Sequence, residues 1–175
     1  MKKFILLTAA LLAGCYNDEP EVTLQQYEDI FHYNVNDIGK ITYEEVECLA
    51  KNIYFEGRGE SLQGQIAIAH VTLNRQKDKR FEDSICDVVY QGPLDNKTNP
   101  LRNQCQFSWW CDGRSDVPRD LWSWGRSMNV AVKVLEGEYK DPTNGALWFH
   151  STKVNPDWKF VISYVGKIDN HIFYR

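Results

Sequence analysis

The stretch from Thr42 to Gly59 restricts the fold of this chain more than any other. Thr42-Tyr43-Glu44-Glu45 fits a capping box, in which Thr42 accepts the Glu45 amide and the Glu45 side chain returns to the cap. Val46, Leu49, Ala50, Ile53 and Tyr54 follow at the three-and-four spacing of one buried stripe. Gly57 and Gly59 are expected to stop the helix. Glu56 lies three residues after Ile53 and seven after Leu49, so the helical turn carries its carboxyl back to the apolar face. Partial burial and the negative end of the helix dipole both favour the protonated form there. A carboxylic acid held neutral near pH 7 is what general-acid cleavage of a glycosidic bond requires. The structural alternative is a surface Glu at a frayed helix end, paired with Arg58.

Ser61 can cap a second helix with apolar residues Leu62, Ile66, Ala69, Val71 and Leu73, ending between Gln76 and Asp78. The turn Glu56-Gly57-Arg58-Gly59-Glu60 therefore joins two helices, and its glycines clear space for a bulky polymer. Glu60 suits the positive end of the second helix. As a second catalytic carboxylate it would have to stand about 5 to 5.5 Å from Glu56 in a retaining glycosidase, or about 6.5 to 9.5 Å in an inverting one. Asp116-Val117-Pro118 is expected to begin a third helix, stopped by Gly137, with the stripe Leu121, Trp124, Met128, Ala131, Val132 and Leu135. Residues 146–150 and 159–165 read as strands, and residues 168–174 as a hairpin around Asp169-Asn170. The expected fold class is α+β: a mainly helical domain with a small antiparallel sheet.

Between the last two helices lies Gln106-Phe107-Ser108-Trp109-Trp110, which offers an amide, a hydroxyl and flat rings suited to sugars. Alternation should send Phe107 and Trp109 inward and Trp110 the other way. Gln106, Ser108, Trp109 and Trp110 are therefore candidate substrate contacts, together with Arg58, Glu60, His171 and Tyr174. For His171 a structural hydrogen bond is the stronger expectation.

Composition narrows the partners. The formal charge of −4 and the pI near 5.6 advertise no basic face for nucleic acid. Lys2 and Lys3, the apolar run 4–12, and Ala13-Gly14 make a secretory leader, too short to span a bilayer. Leu12-Ala13-Gly14-Cys15 matches a bacterial lipobox, so residues 1–14 are expected to be removed and Cys15 lipidated. Tyr16 stands where an Asp would retain the protein at the inner membrane, which favours the outer membrane in a two-membrane cell. Residues 15–40 form an acidic tether to the domain at 41–175. Export favours disulfides among the remaining cysteines. Of three possible pairings, Cys105–Cys111 is favoured, leaving Cys48–Cys86. Four His residues without His-Glu-x-x-His or Cys-x-x-Cys spacing give no zinc motif, and neither a metal nor another cofactor is expected.

Residues 48–60, with Glu56-Gly57-Arg58-Gly59-Glu60 at their end, resemble the cell wall hydrolase family typified by the spore cortex-lytic enzyme SleB. The similarity continues in order through residues 64–69, 71–75, 80–81, 85–91, 105–109, 141–146, 166–168 and 170–175. It implies a lysozyme-like domain acting on peptidoglycan, with Glu56 as the catalytic acid and Gly57 where the family usually has Ala. The implied chemistry is lytic transglycosylation. Glu56 would protonate the oxygen linking N-acetylmuramic acid (MurNAc) to N-acetylglucosamine (GlcNAc). As a carboxylate it would then take the proton of the muramic 6-hydroxyl as that oxygen attacks C1, leaving a 1,6-anhydro sugar. With water as nucleophile the same acid would serve a muramidase. The rival readings are an N-acetylmuramoyl-L-alanine amidase and a non-catalytic wall-binding lipoprotein. A monomer, anchored to the membrane by its lipid, is expected.

Overall fold

Helix α1 spans Tyr43–Gly57, and Thr42 Oγ1 accepts the Glu45 amide at its start (3.2 Å). The reciprocal half of the expected capping box is replaced by a tertiary contact, because Glu45 Oε1 accepts the Ile85 amide at 3.5 Å. In the computed structural model the described residues are 42–175. The leader, Cys15 and the acidic tether lie outside them, and none of the helices described is long and apolar enough to cross a membrane.

Helix α2 (Leu62–Lys77) is capped by Ser61, whose Oγ accepts the Gly64 amide (3.3 Å). It is covered on two sides, which explains why its apolar pattern is broad and not a single stripe. Ile68, Ala69 and Leu73 face helices, whereas Ala67 and Val71 face Ala146 and Phe173 under the sheet. Leu62, expected in the stripe, is instead 41% exposed at the first position. A short helix α3 (Ile85–Val89), absent from the sequence-based expectation, follows a Ser84 cap. It is fastened to α1 by the Cys48–Cys86 disulfide.

Helix α4 runs Leu121–Leu135, five residues later than the Asp116-Val117-Pro118 start expected from Pro at a first turn. Asp120 wins as the cap because its carboxylate accepts both Ser123 N (3.1 Å) and Ser123 Oγ (2.8 Å). Trp124, Met128, Ala131 and Val132 are buried, while Leu121 is 44% exposed. This face packs on α1, whose own Val46, Leu49, Ala50 and Ile53 are wholly inaccessible. Full burial of the Val46, Leu49 or Ile53 side chain stabilises by roughly 1.5–3 kcal/mol each before chain entropy is charged against it.

The sheet comprises β1 (Trp148–Ser151), β2 (Tyr164–Ile168) and β3 (His171–Tyr174), antiparallel in the order β1-β3-β2. The hairpin turns at Asp169-Asn170, with Asp169 at φ +48°. Residues 159–163, expected to be strand, are divided between a 3-10 turn (Asp157–Phe160) and a link into β2. Phe160 and Val161 are 76% and 85% exposed, so among the described residues no second layer buries a strand there.

Candidate active site

Glu56 occupies the last turn of α1, one turn after Asn52 and next to Phe55. Its face is defined by Asn52, because side chains four apart on a helix are neighbours. Asn52 is buried, donates through Nδ2 to Thr72 Oγ1 on α2 (3.0 Å) and accepts Trp109 Nε1–H at Oδ1 (3.0 Å). Glu56 therefore points to the seam between α2 and the loop bearing Trp109, where it is partly buried. Burial pushes its carboxyl up to about 7, while the Arg75 guanidinium pulls it down. The dominant influence is thus lost hydration.

Arg75, on α2, is 4% exposed. Its Nε donates to the Leu147 carbonyl (2.7 Å), and its guanidinium lies 4.8 Å from the Phe107 ring centre and 5.2 Å from that of Phe81. Nη1 is buried with no hydrogen-bond partner among the described residues. Burial lowers the affinity of Arg75 for its proton and Glu56 raises it, so the two groups sense each other across the interior.

Gly57 corrects an expectation about the helix end. It is buried inside α1, and the residue that caps the helix is Arg58 in right-handed conformation. A Cβ at Gly57 would stand 2.6 Å from Ile68 Cδ1, so glycine brings α1 close to α2 and does not loosen it. The Gly57 carbonyl is satisfied twice, by Gln65 Nε2 (3.1 Å) and by the Glu60 amide (2.9 Å).

Beside this seam lies a groove of about 470 Å³. Tyr54, Phe55 and Trp109 form its wall, and Arg58, Arg114, Arg119, Asp112, Asp116 and Asp120 supply its charges. Phe55 stacks on Trp109 with ring centres 4.7 Å apart and planes 19° apart. Tyr54 Oη accepts the amides of Arg119 (3.1 Å) and Asp120 (3.0 Å), fixing the far rim to α1. Glu56 does not line the groove. It stands on the adjoining helical face, roughly 100° around the axis from Phe55.

The expected contact residues divide into groups. Arg58 and Trp109 belong to the groove, with Arg58 exposed and its guanidinium 5.0 Å from the Tyr54 ring centre. Phe107 and Trp109 are buried and Trp110 partly so, through a 3-10 turn (Ser108–Cys111) and not through alternation. Trp110 leans on Tyr90 at 4.5 Å. Gln106 and Ser108 are exposed, outside the groove lining. Glu60 accepts Asn170 N (3.1 Å) and Asn170 Nδ2 (3.2 Å) at the hairpin. Asp169 reciprocates by accepting Ser61 N (2.9 Å) and Ser61 Oγ (2.6 Å) at the α2 N-terminus. His171 is buried, with Nδ1 4.0 Å from Glu60, and burial lowers its proton affinity. Tyr174 is buried too, its hydroxyl 3.0 Å from His150 Nε2. Glu60 thus fastens the hairpin to the start of α2 and Tyr174 joins His150, whereas the structural hydrogen bond expected of His171 is not made at Nδ1, which is buried without a partner among the described residues; none of the three lines the groove.

Sequence reasoning missed Asn52, Arg75 and the Arg119-Asp120 rim. Asn52 carried a usable signal, as an amide four residues before Glu56 within an apolar stripe. Cys105–Cys111 closes the Trp109 turn, and Cys48–Cys86 is the second bridge. Among the described residues no group of three His, Cys, Asp or Glu side chains is placed to hold a metal ion.

A profile of the Cell Wall Hydrolase family matches residues 59–174, beginning three residues after Glu56. The spore cortex-lytic enzyme of Bacillus subtilis is 38% identical over 138 residues, covering 77% of this chain and 39% of that protein. That of Halalkalibacterium halodurans is 28% identical over 134 residues, covering 74% and 34%. The chain spans less than half the length of these curated relatives. Among solved structures, the catalytic domain of the germination-specific lytic transglycosylase SleB from Bacillus anthracis superposes with a TM-score of 0.58 at 23% identity, covering 78% of this chain and 98% of that one. The SleB catalytic domain of Bacillus cereus gives 0.57 at 23% identity, covering 78% and 94%. These two structures share the fold, a lysozyme-like arrangement of helices with a small antiparallel sheet. By the profile match over most of its length, the chain belongs to the Cell Wall Hydrolase family.

Proposed function

We propose that residues 42–175 are the catalytic domain of a peptidoglycan-degrading enzyme that cleaves the MurNAc–GlcNAc bond as a lytic transglycosylase. The observation that carries this reading is the Glu56 carboxyl, pushed by burial to about 7 on the face next to an open aromatic groove. At that value the acid is half protonated at neutral pH, the condition under which one group can first give and then take a proton. Glu56 donates to the bridging oxygen as the bond to C1 breaks. The resulting carboxylate accepts the proton of the muramic 6-hydroxyl as its oxygen closes on C1. Atoms balance without an added water.

Arg75 favours the carboxylate after the first transfer, opposing the burial that favours the acid before it. The second carboxylate considered from sequence, Glu60, is committed to Asn170. A single-acid route therefore fits the side chains better than a paired-carboxylate one. On the same reading, lipidation at Cys15 and the 15–40 tether would hold the enzyme within reach of the wall in the cell envelope.

The test is digestion of purified sacculi followed by mass spectrometry of the fragments. Anhydro-muropeptides are the expected product, and Glu56→Gln should release none. Reducing muropeptides would instead indicate a muramidase, free stem peptides an amidase, and no fragments a wall-binding protein.

A further inference from the structure

The groove beside Glu56 carries more charge than a neutral sugar chain needs. Three guanidinium groups, Arg58, Arg114 and Arg119, face three carboxylates, Asp112, Asp116 and Asp120, around the Tyr54–Phe55–Trp109 wall. Only part of this charge is paired at contact distance. The single ion pair within the set is Arg114–Asp112 at 3.9 Å, with the Arg114 side chain 88% exposed. Among the described residues neither Arg58 nor Arg119 forms an ion pair, and both are exposed. Tyr54 holds the backbone of Arg119 and Asp120, so that rim is anchored; the Asp120 carboxylate caps α4 through Ser123, while the Arg119 guanidinium is exposed.

A surface of this kind suits a ligand with charges of both signs. Guanidinium groups recognise carboxylates through paired N–H donors, and carboxylates recognise an ammonium. The muramic residue of peptidoglycan carries such a ligand on its lactyl ether, a short peptide with several carboxylates and a free amino group. A pocket near 470 Å³ lies within the roughly 300–1,000 Å³ range of small-ligand sites. The groove is also correctly placed. Phe55 and Glu56 are consecutive on α1, so their side chains diverge by about 100° from one helix turn. A sugar whose C1 lies over Glu56 can lay its substituent across Phe55 toward Arg58 and Arg119.

We propose that the Arg58–Arg114–Arg119 groove binds the peptide stem of the muramic residue, making the enzyme selective for stem-bearing glycan over bare glycan. This rests on the glycan-cleaving reading above. The decisive measurement is calorimetric titration with two soluble probes that lack the scissile bond: the GlcNAc–MurNAc disaccharide bearing a tetrapeptide stem, and the same disaccharide without it. The wild-type protein should bind the stem-bearing probe at least tenfold more tightly. In Arg114→Gln/Arg119→Gln that preference should fall to within twofold, at an unchanged melting temperature. Equal affinity for the two probes, no binding of the stem-bearing probe, or a preference that survives in the folded double variant would each overturn the proposal. Cleavage is scored separately on sacculi. Loss of the anhydro product alongside a retained binding preference would remove the lytic reading and leave the stem groove standing.

Discussion

Glu56→Gln separates stability from the proposed activity, because the burial that raises this carboxyl works against its ionised form. The carboxyl moves from its ordinary 4.5 to about 7 in the folded chain. Between those values the native protein keeps a proton that the unfolded chain has released. Native stability therefore falls as pH rises through this window, and stays lower above it. At about 1.4 kcal/mol per tenfold change in proton affinity, the whole interval corresponds to about 3 kcal/mol. Screening at the open side of a partly buried group reduces this to about 2 kcal/mol. Gln keeps the shape of the protonated acid and cannot ionise. The variant should match the wild type in urea unfolding at pH 4, and exceed it by about 2 kcal/mol at pH 8. Tryptophan fluorescence can follow both, with six Trp in the chain.

Activity should move oppositely. As general acid, wild-type Glu56 should lose about tenfold in rate between pH 6 and pH 8, and the Gln variant should be inactive at both. A variant no more stable than wild type at pH 8 would refute the claim that burial raises this carboxyl. A fully active one would refute its catalytic role.

Three further perturbations probe the frame around the acid. Replacing Cys48 and Cys86 by Ser opens a loop of 38 residues and should cost about 4 kcal/mol, against about 2 kcal/mol for the six-residue Cys105–Cys111 loop; unfolding midpoints with and without reductant decide the order. Gly57→Ala should gain about 1 kcal/mol in helix propensity and lose more to the contact with Ile68 Cδ1, so it destabilises alone. Combined with Ile68→Val, which deletes that methyl, the alanine should turn stabilising relative to Ile68→Val by itself; additive single effects in the double-mutant cycle would show that the contact is not the cause. Arg75→Met removes the charge that lowers the Glu56 proton affinity, so the alkaline limb of the pH–rate profile should move to higher pH. A limb that stays in place would mean the two groups do not communicate.

The helices were legible where the local rules agreed. The Thr42 cap and the 46–54 stripe fix α1, because capping and period agree there. The start of α4 was misplaced where two rules competed, since Pro118 fits a first turn and Asp120 fits a cap. The capping hydrogen bonds of Asp120 prevail. The segment 159–163 has strand-forming residues but, among the described residues, no surface to cover them, and burial cannot be read from residue type. In the site, the face of α1 that carries Glu56 was readable from helical phase. The hydrogen bonds of Glu60 were not, because its partner, Asn170, is 110 residues away in sequence. At this junction Gly64 also leaves room for Asp169.

The acid owes its aim to a polar clamp placed in an otherwise apolar seam. Thr72 Oγ1 receives Asn52 Nδ2 and itself donates to the Ile68 carbonyl (3.4 Å), while Asn52 Oδ1 holds the Trp109 indole. Aliphatic side chains at residues 52 and 72 could fill the same volume, and would leave the indole N–H without a partner at a cost of about 1–3 kcal/mol. They would also free the rotation of Trp109. Its stacking on Phe55, worth about 0.5–1.5 kcal/mol, has no directional hydrogen bond of its own. Directionality comes from Asn52, which sits on the same face of α1 as Glu56 and one turn before it. One buried amide thus registers three elements at once: α1 with the acid, α2 with Arg75, and the Trp109 turn that closes the groove. A hydrophobic seam could hold these parts together, but it would not fix their angles.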